Sequence, residues 1–316
     1  MKNNSVLKRI AQMMIILLGV SFFSFLLIHL APGDAVRSMF LANGIQPTQA
    51  QIDQARAEVG LDQPFAVQYK NWLLNCLKGD FGRSYTLRKP VSALLMSRLM
   101  PTIKLAGLSM VLMLVVAIPM GMLSALYKDR WIDHIIRGAT FFGVSMPNFW
   151  VGLLLLYVIA LKWKLLPVVS SGTGLNKLIL PAVTLAFAMS AKYTRQVRTT
   201  ILEELGQDYV VGARARGIKE REILWKHIFP NSLLPLVTLL GLSLGSLLGG
   251  TAVVEVIFSY QGLGNLAVSA ISGMDYPLIQ GYVLWIALIY MVINWIVDIS
   301  YGYLDPRIRE GGRTGE

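Results

Sequence analysis

Charged residues are nearly absent from Ile10 to Leu30, and similar apolar runs recur near Leu99–Leu126, Ile135–Leu161, Leu178–Lys192, Leu233–Phe258 and Gly281–Tyr301. About 20 apolar residues in a helix cross the hydrocarbon core of a bilayer. The pattern therefore predicts an all-α, polytopic membrane protein with six transmembrane helices. The fourth run is short and has polar flanks. The first run exceeds the ~7–15 apolar residues of a cleaved leader and ends in His29-Leu30-Ala31-Pro32, a poor cleavage site. It is expected to stay as the first helix. An even number of spans places both termini on one side.

Charge sets the orientation. Lys2, Lys8 and Arg9, then Lys128, Arg130 and Arg137, then a basic stretch from Arg195 to Lys226, then Arg307, Arg309 and Arg313 fall between alternate spans. Under the positive-inside rule these segments, and both termini, are cytoplasmic in an inner (plasma) membrane protein. The loop from Ser259 to Gln280 has no Lys or Arg and lies outside, as does the loop with Lys162, Lys164 and Lys177.

Residues 31–98 are too many for a simple connector. Ile52, Ala55 and Val59 recur at helical spacing, as do Phe65, Tyr69, Trp72 and Cys76, and Pro47 and Pro64 stand where helices can start. A small external helical subdomain is predicted, either a packing cap or a wall that guides substrate or docks a delivery protein. The expected organisation is residues 1–30 for the N-terminus and first span and 31–98 for the external loop. A five-helix core follows at 99–302, with a cytoplasmic loop at 194–231, and a cytoplasmic tail at 303–316.

Prolines fall inside predicted spans at Pro119, Pro147 and Pro181, and Gly241-x3-Gly245-x3-Gly249 is a small-residue row that lets helices approach. Asn148, mid-span beside Pro147, needs a partner if buried and is a candidate for the transport pathway with Pro147. Lys104, Lys192, Glu255 and Asp298 lie within a few turns of a membrane face, where Lys can snorkel.

Composition narrows the classes. The chain of 316 residues is 54% hydrophobic and 15% charged, too apolar for a soluble domain of this length. Its net charge of +11 is accounted for by the inside loops, and no basic aromatic groove points to nucleic acid. One cysteine, Cys76, excludes an intrachain disulfide. His29, His134 and His227 are scattered, so no metal site is expected. No Gly-x4-Gly-Lys-Ser/Thr string is present, so ATP and Mg, if used, are bound by another chain. The Gly79-Asp-Phe-Gly82 and Gly262-Leu-Gly264 strings lack the surroundings of a kinase or a dinucleotide fold. A membrane-embedded enzyme would need converging nucleophile, base or metal ligands. Neither Gly-x-Ser-x-Gly nor His-Glu-x-x-His occurs. A secondary carrier would carry an inverted repeat, which the chain does not show.

The informative cytoplasmic stretch is Asp208-Tyr-Val-Val-Gly-Ala-Arg-Ala-Arg-Gly217, followed by an amphipathic segment to Pro230. Asp208 suits a helix N-terminus and Gly217 a helix stop. Gly212 and Ala213 are small enough for a partner to approach the backbone, with Arg214, Arg216 and Lys219 as polar anchors. The stretch resembles the EAA loop of ABC importer permeases. Ala213, Gly217 and Pro230 fall on that pattern, while Val211, Gly212, His227 and Phe229 replace its Glu, first Ala, Ile and Leu.

The wider chain is similar to the first permease of the peptide/nickel class. The resemblance rests on Ala31-Pro-Gly-Asp34, Gly60-Leu-Asp-Gln-Pro64, Gln68-Tyr69 with Trp72, Gly79-Asp-Phe-Gly-Arg-Ser84 and Ser145-Met-Pro-Asn-Phe-Trp150. Gln261-Gly-Leu-Gly264, Asp275-Tyr-Pro277 and Leu304-Asp-Pro-Arg-Ile-Arg309 complete it. It implies the type I importer fold, half of a translocation pathway shared with a second homologous permease, two cytoplasmic ATPase subunits or domains, and an external solute-binding protein. It also implies that Asp208, Tyr209, Gly212, Ala213, Arg214, Arg216, Gly217 and Pro230 form the ATPase-coupling loop. The short external loop, Lys162 to Lys177, and the segments Ser145–Trp150 and Gln68–Trp72 resemble the nickel and metal-chelate permeases, so a nickel or metal-chelate cargo is expected, with di- or oligopeptides as the alternative.

Overall fold

The computed structural model describes residues 2–30, 36–37, 40, 44–58, 60–170 and 174–304. Helices carry most of them, since only a helix satisfies its own backbone groups within hydrocarbon. Among the described residues the sole extended pairing is a bridge between Arg83 and Pro90. The chain divides into two compact units, residues 1–102 with 261–291 and residues 103–260 with 292–316. Val59, Ala31–Asp34 and the tail after Leu304 lie outside the described residues.

The first unit contains α1 (Lys2–Leu30), α2 (Gln49–Glu58), α3 (Phe65–Leu77), the start of α4 (Val91–Leu126), α12 (Leu263–Ser272) and the start of α13 (Tyr276–Leu304). The predicted aromatic face of α3 packs on α1: Phe25 lies 5.4, 5.5 and 5.3 Å, centroid to centroid, from Phe65, Tyr69 and Trp72. Ser21 Oγ and Tyr69 Oη share a 2.8 Å hydrogen bond beside them. Pro64 caps α3, as its position predicts. α2 starts instead on Thr48, which forms a capping box with Gln51: the Thr48 N–H donates to Gln51 Oε1 at 2.9 Å and the Gln51 N–H to Thr48 Oγ1 at 3.4 Å. Buried Gln68 ties the preceding turn, donating from Nε2 to Leu61 O at 3.1 Å and Gln63 O at 2.8 Å. Cys76 is half-buried, and burial with the nearby Asp80 charge pushes its thiol up to about 12, which leaves it protonated and inert.

The stretch Ser259–Gln280, expected as a loop, folds into α12. Its apolar residues Leu263, Leu266 and Ala270 pack with Val91, Leu94 and Leu95 of α4 and Leu278 of α13. Thr102 Oγ1 accepts the Leu263 N–H at 2.8 Å. Asp275, fully buried, starts α13's approach and accepts from Ser84 Oγ at 2.5 Å, Thr86 Oγ1 at 2.7 Å and Thr86 N–H at 3.1 Å. Two separate sequence motifs, Gly79–Ser84 and Asp275–Pro277, thus become one structure.

The second unit contains the rest of α4 and α13, α5 (Trp131–Ser145), α6 (Asn148–Leu155, continuing as a π-helix Leu156–Lys162), α7 (Leu175–Leu205), α8 (Asp208–Ala215), α9 (Glu220–Ile223, continuing as a π-helix Leu224–Ile228), α10 (Phe229–Gly250) and α11 (Ala252–Ile257). α7 is the centre, with buried residues along its length and α5, α6 and α10 packed against it. Glycines make the approach close: a Cβ at Gly143 would sit 2.8 Å from Ala191 Cβ, and one at Gly121 2.8 Å from Thr194 O. At Gly241 a Cβ would collide with Val297, so the predicted glycine row does bring helices together there.

The expected third span is not one helix. α5 and α6 meet at a 98° bend. Pro147 sterically disfavours helical backbone at the residue before it, and Met146 is extended at φ −85, ψ 129. The expected fourth span belongs to a longer helix, α7, whose apolar stretch is bounded by Asn176 and Lys177 and by Lys192, which leave it too polar to count as a span by composition. The expected fifth breaks at Thr251. Among the described residues three helices are long and apolar enough to cross a membrane, or four if the bent pair is one span.

Asp275→Ala should strand the Ser84 and Thr86 donors, at about 1–3 kcal/mol for a buried unmet group. Limited trypsin digestion at Arg83, Arg88 and Lys89 should then accelerate, and an unchanged cleavage rate would contradict the anchoring role.

Candidate functional site

α7 turns at Gly206–Gln207 into α8. Asp208 is the first residue of α8 and is exposed, so its carboxylate faces the partial positive charge of the helix N-terminus. At the far end Gly217 has φ +75, in the left-handed region that favours glycine. The Gly217 N–H donates to Arg214 O at 2.9 Å and the Ile218 N–H to Ala213 O at 3.2 Å, the paired bonds of a Schellman stop. The sequence reading of both ends of this helix matches the geometry.

α8 has two faces. Val210 and Ala213, at i and i+3, are buried in a cluster with Val197 and Ile201 of α7, Met122 and Ala125 of α4, and Ile223, Leu224 and Ile228. Ala213 was expected to leave room for a partner; it packs inward instead, because it shares Val210's face. Val211, 59% exposed, and Arg214 and Arg216 lie on the open face. Gly212 is half-buried, and a Cβ there would meet nothing within 4 Å. Here the small residue does keep space open.

The polar groups of the loop bond to one another and to the end of α7. Tyr209 Oη donates to Glu204 Oε2 at 2.5 Å, tying α8 to the end of α7, and burial pushes the phenol above its ordinary range. Arg214 donates from Nε and Nη2 to Glu220 at 2.6 and 3.2 Å, and this fork holds the Glu220 carboxyl below its ordinary range. Arg216 Nε donates back to Gly212 O at 3.2 Å. Lys219 caps the start of α9 and is exposed. Pro230 stands in the first turn of α10, where a missing N–H costs nothing.

Beside this loop lies a group that sequence reasoning missed. Asp133, in the first turn of α5, is fully buried. It accepts from Arg198 Nε at 2.8 Å and Nη2 at 2.7 Å, from Ser124 Oγ at 2.5 Å and from the Asp129 N–H at 3.0 Å. The α4–α5 corner is thereby clamped to α7, one helical stretch before α8. The signal was an isolated Asp opening an apolar helix; Arg198 was lost among the basic residues of the inside loop.

The other candidates are placed differently. Asn148 is the first residue of α6, exposed just past the bend, not buried in mid-span. Pro147 is the N-cap residue of that helix. Glu255 is fully buried and accepts from Thr251 Oγ1 at 3.0 Å, while Lys104 and Lys192 are exposed. The side chain of Asp298 lies outside the described residues.

Residues 117–310 match the binding-protein-dependent transport system inner membrane component family, and residues 3–106 match its N-terminal companion. The chain belongs to this family, and within it to the ABC importer permeases of the peptide/nickel class. It is 38% identical over 311 residues to a putative peptide transport system permease protein of Brucella abortus (strain 2308), covering 96% of this chain and 98% of that one. It is 37% identical over 306 residues to the glutathione transport system permease protein GsiC of Escherichia coli (strain K12), covering 97% and 99%. An inward-facing structure of the MetNI methionine ABC transporter shares the fold, with a TM-score of 0.56 and 19% identity over 67% of this chain and 96% of that one. The protein is thus a multi-pass inner-membrane permease subunit with the type I importer fold, working with an ATPase and a solute-binding protein, and is not itself an enzyme.

Arg198→Ala should leave Asp133 as an unpaired buried charge, destabilising the fold by about 3–5 kcal/mol. Arg198→Leu combined with Asp133→Leu should cost less than Arg198→Ala alone. Thermal unfolding of the purified chain, followed by tryptophan fluorescence, compares the variants; an Arg198→Ala midpoint equal to wild type would refute the clamp.

Proposed function

We propose that this chain forms half of the translocation pathway of an importer for short peptides, paired with a second homologous permease. Two ATPase subunits or domains, which bind the ATP and Mg, dock on the cytoplasmic loop, and an external binding protein delivers cargo. Both termini are cytoplasmic in this reading. Residues 31–98 form the external part, 99–302 the core with its coupling loop at 194–231, and 303–316 the inner tail. The near full-length identity to permeases named for peptide and glutathione transport carries the cargo assignment. The metal-chelate expectation drew on the short Lys162–Lys177 loop, and the names of these relatives favour the peptide alternative over it.

The coupling assignment is supported by the two-faced geometry of α8. Asp208, Gly212, Arg214 and Arg216 offer an open surface, while Tyr209, Ala213, Gly217 and Pro230 fix its seat. A groove on an ATPase that received α8 would gain a rigid grip on the α4–α7 end of the bundle. Pro147 and Asn148, at the α5–α6 bend, remain the pathway candidates of this reading.

Gly212→Trp should fold normally, because the space there is open, yet fill the docking face. Copurification with the ATPase subunit should fall at least tenfold; retention at the wild-type level would remove α8 from the contact. For cargo, a strain lacking the gene should lose uptake of radiolabelled dipeptide and keep uptake of radiolabelled nickel. The opposite result would restore the metal reading.

A further inference from the structure

Two contacts fix how α5 and α7 run side by side. Near the start of α5, Asp133 accepts from Arg198 at 2.8 and 2.7 Å. Further along α5, a Cβ on Gly143 would sit 2.8 Å from Ala191 Cβ. The contacts advance along α5 and retreat along α7, so the helices are antiparallel. Between the two contacts, Arg137 lies one turn beyond Asp133 and Arg195 one turn before Arg198, which puts both arginines at the same level. Viewed from one end, antiparallel helices wind in opposite senses. At ~100° per residue, Arg137 on α5 and Arg195 on α7 then fall on the same flank of the seam.

Both arginines are exposed, and among the described residues neither is paired with an acid. The Asp133 carboxylate is already occupied by Arg198, Ser124 and the Asp129 N–H. Lys192, also exposed, adds a third positive charge one turn from Arg195. Like charges held side by side repel, and an anion between them removes that cost. Two guanidinium forks suit a phosphate, whose oxygens accept paired N–H bonds.

The deeper part of the flank names the source of the phosphate. Phe141, 72% exposed, and Val144, 49% exposed, follow Arg137 at one and two turns on the same row of α5. The apolar stretch of α7 ends at Lys192, so the arginines stand where hydrocarbon gives way to headgroups. Basic clusters between spanning helices at that depth suit anionic lipid. The opposite flank, which holds Ala139 and Val183, opens on an apolar groove of about 340 Å³ with no charged residue in its wall. A free phosphate would use the arginines and leave Phe141 and Val144 bare, whereas a phospholipid uses both.

We infer that the α5–α7 seam binds an anionic phospholipid, its phosphate held by Arg137 and Arg195 and an acyl chain laid on Phe141 and Val144. The lipid is a ligand of the second unit alone, and its binding is independent of the cargo and of what docks on α8.

Native mass spectrometry of the complete permease–ATPase complex, titrated with phosphatidylglycerol or phosphatidylcholine, tests the site. Phosphatidylglycerol should bind at a concentration at least tenfold lower than phosphatidylcholine. Arg137→Gln combined with Arg195→Gln should abolish that preference, while Lys104→Gln, which removes an exposed cation elsewhere on α4, should keep it. Equal retention of the two lipids by the wild type overturns the site. So does a preference that survives the double variant or is lost equally in Lys104→Gln. Glycerol 3-phosphate at equal concentration should leave the lipid in place on the wild type; displacement would assign the arginines to a soluble anion and overturn the lipid site.

Discussion

A carboxylate with no exposed surface has to be matched by donors, and in each unit one such group joins segments far apart in the chain. Asp275 is held by Ser84 and Thr86, neutral donors that stand nearly two hundred positions earlier in the chain. Asp133 is held by Ser124, the Asp129 backbone and the forked guanidinium of Arg198. In a poorly polarisable interior, losing such partners costs far more than forming them gains. Neither constellation can therefore loosen gradually. The Ser84–Thr86 segment stays with the start of α13, and the α4–α5 corner stays with α7.

The second of these constraints gives the connecting helix its mechanical meaning. Val210 and Ala213 share one apolar cluster with Met122, Ala125, Val197 and Ile201. The part-buried Tyr209–Glu204 bond ties the start of α8 to the end of α7, while the exposed Arg214–Glu220 pair at its other end adds little. α8 thus packs directly on α7, and Arg198 joins α7 to α5 through Asp133. The backbone ladder of the second unit is interrupted at Met146–Pro147 and at Thr251, where helix continues in a new direction or register. At Gly121 and Gly143, by contrast, the helices pack so closely that a Cβ would collide with the neighbour.

Much of this was legible in the sequence because it depends on local chemistry. The apolar runs gave helices, Pro64 and Gly217 gave helix ends, and the Phe65–Trp72 spacing gave the face that meets α1. What escaped depends on distant partners. Hydropathy read across Pro147 because the residues on either side are equally apolar, and apolarity says nothing of direction. Ala213 was judged by its size, whereas its face was set by Val210 one turn away. Asp133 and Arg198 lie 65 positions apart, and no pattern within either segment names the other. The same holds for Ser84 and Asp275, whose motifs were visible separately as resemblance and acquired a physical reason only in the fold.

The metal-chelate expectation stood on weaker physical ground. It drew on the Ser145–Trp150 and Gln68–Trp72 segments and on the length of the Lys162–Lys177 loop, and length is a weak recorder of chemistry, since lengthening a flexible surface loop adds little closure entropy. Within it the Ser170 N–H donates to Phe258 O at 2.8 Å, a backbone anchor that sets the path of the chain there and records nothing of a cargo. Side chains that meet a ligand are under a different constraint, because each polar atom removed from water has to find a counterpart. Such side chains identify the chemistry of what they meet, whereas the span of a connecting loop does not.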